Sequence, residues 1–421
     1  MASFLIEQSP PLRGTVHIGG SKNAVLPILA AALLTTQPCT IHDVPALTDV
    51  FVMQNMLEDF GAQTQWDANR ETMTIATRHI EKHEVSYDLA GQMRASFLVM
   101  GPLLARCGHI KAPLPGGCAI GSRPVDQHLK GFAAMGAEIK QEHGFISASA
   151  KRLTGATIYL DFPSVGATEN IMMAAVLADG QTILQNCANE PEIVDLANFL
   201  SSIGADIRGA GTDTIRINGV RELSGSTYTV IPDRIEAGTF MLAAATTHGD
   251  IVLENIVGDH LKAIIAKLRE ANVLVEDHDN GLHVYGGGAS RAVDIKTLPY
   301  PGFPTDMQAQ FMGFLATATG SGIVIETVFE NRFMHASELK RMGADIKIDS
   351  RSAVIEGLPR LTGTQVRATD LRAGAALVIA GLAAEGMTEV RDIYHIDRGY
   401  CRFDEKLRQL GARILRAEGQ A

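Results

Sequence analysis

The sequence predicts an α/β protein of two lobes, each built from three similar units of about 70 residues. Three observations carry this: a motif recurring six times at nearly constant spacing, a second motif opening a strand ahead of a small-residue helix, and chain ends that complete one unit between them.

The first motif is Leu-x-x-apolar-Gly-Ala before a short β-like run. It appears as LEDFGAQT at Leu57, FAAMGAEI at Phe132, LSSIGADI at Leu200, LKRMGADI at Leu339 and LRQLGARI at Leu407. LREANVLV at Leu268 is a degenerate copy, with Asn272 where the others have glycine. Glycine, and next asparagine, suits the left-handed residue that ends a helix. The cap positions 61, 136, 204, 272, 343 and 411 lie 75, 68, 68, 71 and 68 residues apart.

The second motif, LRGTV at Leu12, LTGAT at Leu153, LSGST at Leu223 and LTGTQV at Leu361, opens a strand leading into a small-residue helix such as GATENIMMAAVLA or EAGTFMLAAA. A turn, a β-like run such as DIVLENI and an amphipathic helix follow, so one unit reads β-β-β-α-β-α. After Gly411 one strand remains, expected over Ala412–Leu415, and before Leu12 there is one strand, expected over Phe4–Glu7. Joined, the ends make a unit, so residues 1 to about 21 are expected to pack with the C-terminal half. The expected lobes are 22–232, and 1–21 plus 233–421. A six-unit solenoid fits less well, because the units carry mixed hairpins and no polar capping repeats.

With 46% apolar and 20% charged residues in 421, the chain has ample core and no case for disorder. The balance of 37 basic and 47 acidic side chains, net −10, argues against a general nucleic-acid or anionic-membrane binder. Five scattered cysteines without a CxxC pair point to reduced thiols rather than a disulfide set or zinc site. No secretory leader pattern is apparent, and the longest apolar run, Ala24 to Thr35, is too short to span a bilayer and reads as a buried helix. A cytoplasmic protein without membrane insertion is expected.

The strand-to-helix junctions are polar: Ser21-Lys22-Asn23, Arg94, Ser164-Val165-Gly166, Asp233-Arg234, Thr305-Asp306 and Asp370-Leu371-Arg372. Plain capping accounts for the Ser, Thr and Asp residues. It does not account for Lys22, Arg94, Arg234 and Arg372, since a cation at a helix start opposes the dipole. Four such cations point to a multiply charged anionic ligand. The segment Pro113–His128, PLPGGCAIGSRPVDQH, adds a long Gly/Pro-rich loop at about 112–124 holding Cys118 and Arg123. Such a loop can cover a ligand, with Arg123 anchoring it to negative charge and Cys118 offering an exposed thiol. Cys39, Cys107 and Cys187, beside turns or β-runs, read as inert. His128 is open between touching ligand through this loop and merely starting the next helix. The polar loops Glu330–His335 and Tyr394–Tyr400 are weaker candidates.

Together with GGSKNAVLPILAA, SVGATENIMMAA, NEPEIVD, IPDRIEAGTF, PTDMQAQFM, VFENRFMH and YHIDRGY, that loop makes essentially the whole chain resemble the UDP-N-acetylglucosamine enolpyruvyl transferases, which open peptidoglycan precursor synthesis. The resemblance implies a two-lobed inverted α/β barrel, shared with EPSP synthase, whose N-terminal strands belong to the C-terminal lobe and whose active site lies in the cleft. It implies transfer of an enolpyruvyl group from phosphoenolpyruvate to the 3′-hydroxyl of UDP-N-acetylglucosamine, with release of phosphate through a tetrahedral intermediate. No cofactor and no metal are implied. Cys118 matches the thiol that protonates the methylene carbon, can hold a covalent adduct and is alkylated by the epoxide fosfomycin. Asp306 matches the carboxylate that takes the proton from the sugar hydroxyl. Lys22, Arg123 and Arg398 match the cations around the phosphoenolpyruvate phosphate and carboxylate. Asn23, Arg94, Ser164, Val165, Gly166, Val328 and the run Arg123, Pro124, Val125, Asp126, Gln127 match positions holding the UDP-sugar. Arg372 is placed with the substrate-binding set; like Arg234, it is open between contacting ligand and bridging the lobes.

One departure is Phe162-Pro163, where some members carry a lysine; Phe162 implies different packing around the nucleotide. Two rival readings are a shikimate-pathway enolpyruvyl transferase, which lacks the Gly-Gly-Cys loop, and a non-catalytic UDP-sugar sensor. The sequence does not set the oligomeric state.

Overall fold

The Leu-x-x-apolar-Gly-Ala motif folds the same way wherever it occurs. Gly61, Gly136, Gly204, Asn272, Gly343 and Gly411 have φ between 65° and 108° in the computed structural model, which describes residues 2–114, 121 and 124–418. Each ends a helix: Thr48–Asp59, Asp126–Ala134, Pro191–Ser202, Lys262–Glu270, His335–Arg341 and Phe403–Gln409. At the first, Gly61 N–H donates to Glu58 O at 2.9 Å and Ala62 N–H to Leu57 O at 3.0 Å, satisfying carbonyls the helix end would leave bare. Lacking a Cβ, glycine takes this conformation at no steric cost.

The described residues form six small sheets, five of four strands and one of three. Thr157–Tyr159 shows the pattern. It lies parallel to Gln181–Gln185, the two joined through the helix Val165–Ala175, and Gln181–Gln185 pairs antiparallel with Thr214–Asn218 of the hairpin that includes Asp206–Arg208. In the sheet holding the chain start, Ser3–Glu7 lies antiparallel between Met387–Arg391 and Ile414–Ala417. The last strand is therefore two residues later than the expected Ala412–Leu415. Ala412 and Arg413 complete the turn after the helix, Ala412 N–H bonding Leu407 O at 3.0 Å and Arg413 N–H bonding Ser9 Oγ at 3.0 Å.

The described residues divide into two compact units, one from Ala2 to Gly19 and from Pro232 to Glu418, the other from Gly20 to Leu114 and from Pro124 to Ile231. In the first unit, helices Arg234–Thr246, Gln308–Leu315 and Leu371–Ala383 pack against one another. They are buried nearly all round, so their sequences lack an amphipathic stripe. Phe311 meets Phe303 and Phe314 edge-on at 5.3 and 5.5 Å, and Phe240 meets Phe403 at 5.6 Å. In the second unit, the apolar run 24–35 forms the helix Lys22–Ala31 and a 3₁₀ turn, Ala32–Leu34. Met100–Cys107 packs on Val165–Ala175, where Asn170 accepts from Gly101 N–H at 2.6 Å and donates to Phe97 O at 2.8 Å. Among the described residues, no helix is long and apolar enough to cross a membrane.

Candidate active site

Four buried helices begin on a side-chain cap. Ser21 accepts from Ala24 N–H, Ser164 from Ala167 N–H, Asp233 from Ile235 and Glu236 N–H, and Asp370 from Arg372 and Ala373 N–H. Capping thus explains these four residues, and the cations beside them have their own surroundings.

In the second unit, Lys22 is the first residue of its helix and its Nζ lies 2.7 Å from Asp49 Oδ2. Asn23 follows, half-buried. Arg94 opens a 3₁₀ turn, Arg94–Val99, close enough to His128 for its charge to act on the imidazole. His128 lies inside the helix Asp126–Ala134, stacked edge-on against Phe97 at 5.1 Å, with Nδ1 3.0 Å from Asn170 Nδ2 and its ring against Gly166. Burial first, and then Arg94, lower its pKa to about 3, which favours the neutral imidazole beside the start of the Val165 helix. Gln127 is buried and grips Asp161 with both ends of its amide: Nε2 donates to Oδ2 at 2.9 Å and Oε1 accepts from Asp161 N–H at 2.9 Å. Val125 caps that helix and Asp126 is its first residue, with Pro124 exposed just before. The run 124–127, the Ser164–Gly166 helix start and Arg94 are thus held together through His128, Asn170 and Asp161. Phe162 is 46% exposed beside this group.

In the first unit, Asp306 sits in the 3₁₀ turn Thr305–Met307 between two guanidiniums. Arg332 Nη2 donates to Oδ1 at 2.7 Å and Arg372 Nη2 to Oδ2 at 3.0 Å, and both arginine side chains are 4% exposed against 26% for the aspartate. Burial works to raise the Asp306 pKa, but Arg372 and Arg332 outweigh it and hold the carboxyl well below the ordinary carboxylate value. Tyr400 Oη accepts from Arg372 Nη1 at 3.3 Å and Gln310 Nε2 at 3.1 Å, and lies 2.9 Å from Thr239 Oγ1. Arg234 is buried with its guanidinium 5.6 Å over the Tyr300 ring. Val328 is 38% exposed in the turn after the strand Ser321–Ile325. Arg398 caps the short helix Tyr394–Asp397, half-buried, and its charge bears on His395.

Cys118 and Arg123 lie outside the described residues. Cys39 and Cys187 are buried and Cys107 partly so; burial raises all three thiol pKa values, that of Cys187 to about 11, which favours the protonated thiol. A cavity of about 1670 Å³ in the second unit, lined by Arg106, Cys107, Arg152 and Arg221 among others, contains none of the predicted site residues.

Sequence reasoning did not single out Asp49, Tyr400 or Arg332, although Arg332 lies in the polar segment Glu330–His335. It also missed Glu169, buried in the Val165 helix, whose pKa rises well above the usual value through burial and then through Glu192 and Glu190. The segment NEPEIVD that supplies those two neighbours was the available signal.

The family profile of EPSP synthase (3-phosphoshikimate 1-carboxyvinyltransferase) matches residues 6–407. UDP-N-acetylglucosamine 1-carboxyvinyltransferase 1 of Caldanaerobacter subterraneus subsp. tengcongensis is 60% identical over 413 residues, covering 98% of this chain and 99% of its own. UDP-N-acetylglucosamine 1-carboxyvinyltransferase 2 of Clostridium tetani is 54% identical, covering 99% and 100%. Among solved structures, the enolpyruvyl transferase NikO from Streptomyces tendae is similar at a TM-score of 0.89 and 27% identity, covering 100% of this chain and 99% of that one. EPSP synthase from Acinetobacter baumannii shares the fold at a TM-score of 0.79 and 20% identity, covering 99% and 100%.

Proposed function

The chain belongs to the EPSP synthase family of 1-carboxyvinyltransferases, and from that premise we propose that it transfers the enolpyruvyl group of phosphoenolpyruvate to the 3′-hydroxyl of UDP-N-acetylglucosamine, releasing phosphate. Identity of 52–60% over nearly the whole chain to enzymes named for that acceptor carries the reading, and favours it over a shikimate-pathway enzyme or a sugar sensor. The reaction is then a step of peptidoglycan precursor synthesis. We place it in the cytoplasm, in keeping with five scattered cysteines that form no CxxC pair.

The substrates bring a diphosphate, a monophosphate and a carboxylate, so preorganised cations are the main requirement. In this reading Arg94, Asn23, the run Arg123–Gln127, Ser164–Gly166 and Val328 hold the UDP-sugar, while Lys22, Arg123 and Arg398 hold phosphoenolpyruvate. Cys118 protonates the methylene carbon. Asp306 takes the hydroxyl proton, and its pairing explains how that can be controlled. A carboxylate clamped by Arg332 and Arg372 is a weak base; a substrate anion that draws either guanidinium away raises its basicity as the substrate binds. The residues require no metal for any of these steps.

The test is release of inorganic phosphate from phosphoenolpyruvate with each acceptor in turn. Release with UDP-N-acetylglucosamine is expected; release with shikimate 3-phosphate alone overturns the assignment. Cys118→Ala that keeps full physiological function would instead favour the sensor.

A further inference from the structure

Glu326 follows the strand Ser321–Ile325 and is 1% exposed. A carboxylate so placed is tolerated only where hydrogen bonds replace its water shell. Four donors from three stretches of chain do this. Oε1 accepts from Thr297 Oγ1 at 2.8 Å, Val328 N–H at 2.8 Å and Phe329 N–H at 3.1 Å, and Oε2 accepts from Thr305 Oγ1 at 2.8 Å. The Thr305 hydroxyl spends its one proton on Glu326, so its lone pairs face Arg332, whose Nη1 donates to it at 2.9 Å. The other terminal nitrogen of Arg332 holds Asp306 at 2.7 Å.

Resting on the enolpyruvyl-transfer reading, we propose that Glu326 is a positioning residue for this reaction. It fixes the Val328 turn through backbone N–H groups and orients Asp306 through Thr305 and Arg332. It touches neither substrate. One carboxylate thereby sets a backbone segment that meets the sugar nucleotide and the direction in which the base points. An amide cannot replace it: a glutamine offers one oxygen and one NH₂, and the NH₂ faces either Thr305 or the Thr297–Val328–Phe329 donors, leaving one side without its acceptor.

The test compares steady-state kinetics of Glu326→Gln, Thr305→Val and Thr305→Ser in the full-length chain, with melting temperatures confirming that each folds. Glu326→Gln is expected to lower kcat/KM for UDP-N-acetylglucosamine about 10²-fold, the scale of an ångström misplacement of reacting groups, through both a higher KM and a lower kcat. Thr305→Val leaves the Thr297, Val328 and Phe329 donors on Oε1, so the Val328 turn keeps its anchor, while Oε2 loses its Thr305 donor and the route to Asp306 is cut; it is expected to lower kcat with KM for the sugar nucleotide nearly unchanged. Thr305→Ser keeps the hydroxyl and restores kcat. Wild-type kinetics for Glu326→Gln, or a serine variant no better than the valine variant, overturn the proposal. If Glu326→Gln does not fold, the Thr305 pair decides by itself. A wild-type chain that releases no phosphate overturns the functional reading itself, an outcome distinct from a wild type and Glu326→Gln that turn over equally.

Discussion

Asp306→Asn removes the charge that two buried arginines share, and its cost can be worked from their surroundings. Arg332 and Arg372 are each 4% exposed and lie 2.7 and 3.0 Å from separate oxygens of the carboxylate. Removing one member of a buried ion pair costs about 3–5 kcal/mol, because the remaining charge is left without compensation. Asparagine still offers one acceptor oxygen and the site is partly open, so about 3 kcal/mol is expected. For a cooperative unit of this size each kcal/mol shifts the melting temperature by about 2–4 °C, giving a drop of about 6–12 °C. The pH dependence has a definite sign. The folded-state pKa of Asp306 lies well below its unfolded value, so its stabilisation is complete above the unfolded pKa of about 3.9 and is lost as pH falls through the folded one. Differential scanning calorimetry of wild type and variant should therefore show a constant gap from pH 8 down to about 5, narrowing only below about pH 4. Equal melting temperatures at pH 7, or a gap that closes between pH 7 and 5, would refute the reasoning that the two guanidiniums hold the carboxylate ionised.

Gly20→Ala places a Cβ 1.7 Å from the carbonyl oxygen of Asp43, backbone that cannot swing aside; a loss of about 1–3 kcal/mol is expected, with weaker UDP-N-acetylglucosamine binding by calorimetry because Asn23, at the start of the helix that follows, must shift. Unchanged stability and affinity would show that the entry to this helix is not constrained. Asp195 is buried, bonded to Tyr228 Oη at 2.6 Å, and burial raises its pKa to about 6. The wild type should accordingly lose up to about 3 kcal/mol relative to Asp195→Asn as pH rises from about 4 to 7; a flat difference in melting temperature contradicts this. Fosfomycin should leave one adduct on Cys118, strengthened by UDP-N-acetylglucosamine. Cys118→Asp should escape it while keeping partial activity, since a carboxylic acid can still donate a proton. Intact-mass and peptide analysis placing the label on Cys401 would contradict the role given to Cys118.

What the sequence makes legible is what acts locally. The left-handed caps at Gly61 through Gly411, with Asn272 standing in for glycine, depend on neighbouring residues alone, as do the Ser21, Ser164, Asp233 and Asp370 caps. The end of the chain is harder, because a bond from Arg413 to Ser9 helps set where the last strand begins. Partners brought together from afar left no local trace. Lys22 and Arg372 stood out as cations opposed to a helix dipole, yet nothing near them in the chain announced Asp49, or that Arg372 and Arg332 would share Asp306. Tyr400 reads as one aromatic in a polar loop until Arg372, Gln310 and Thr239 are seen around its hydroxyl. His128 is a similar case, since its contacts with Phe97 and Asn170 come from elements distant in the chain and leave no local signature.

The most direct measurement follows carbon-13 from labelled phosphoenolpyruvate into product by NMR, with both candidate acceptors present in equal amounts. The labelled vinyl group should appear as an ether on the 3′-oxygen of UDP-N-acetylglucosamine, in step with phosphate release. Label found on shikimate 3-phosphate, or phosphate released with no vinyl ether formed on the sugar nucleotide, would contradict it.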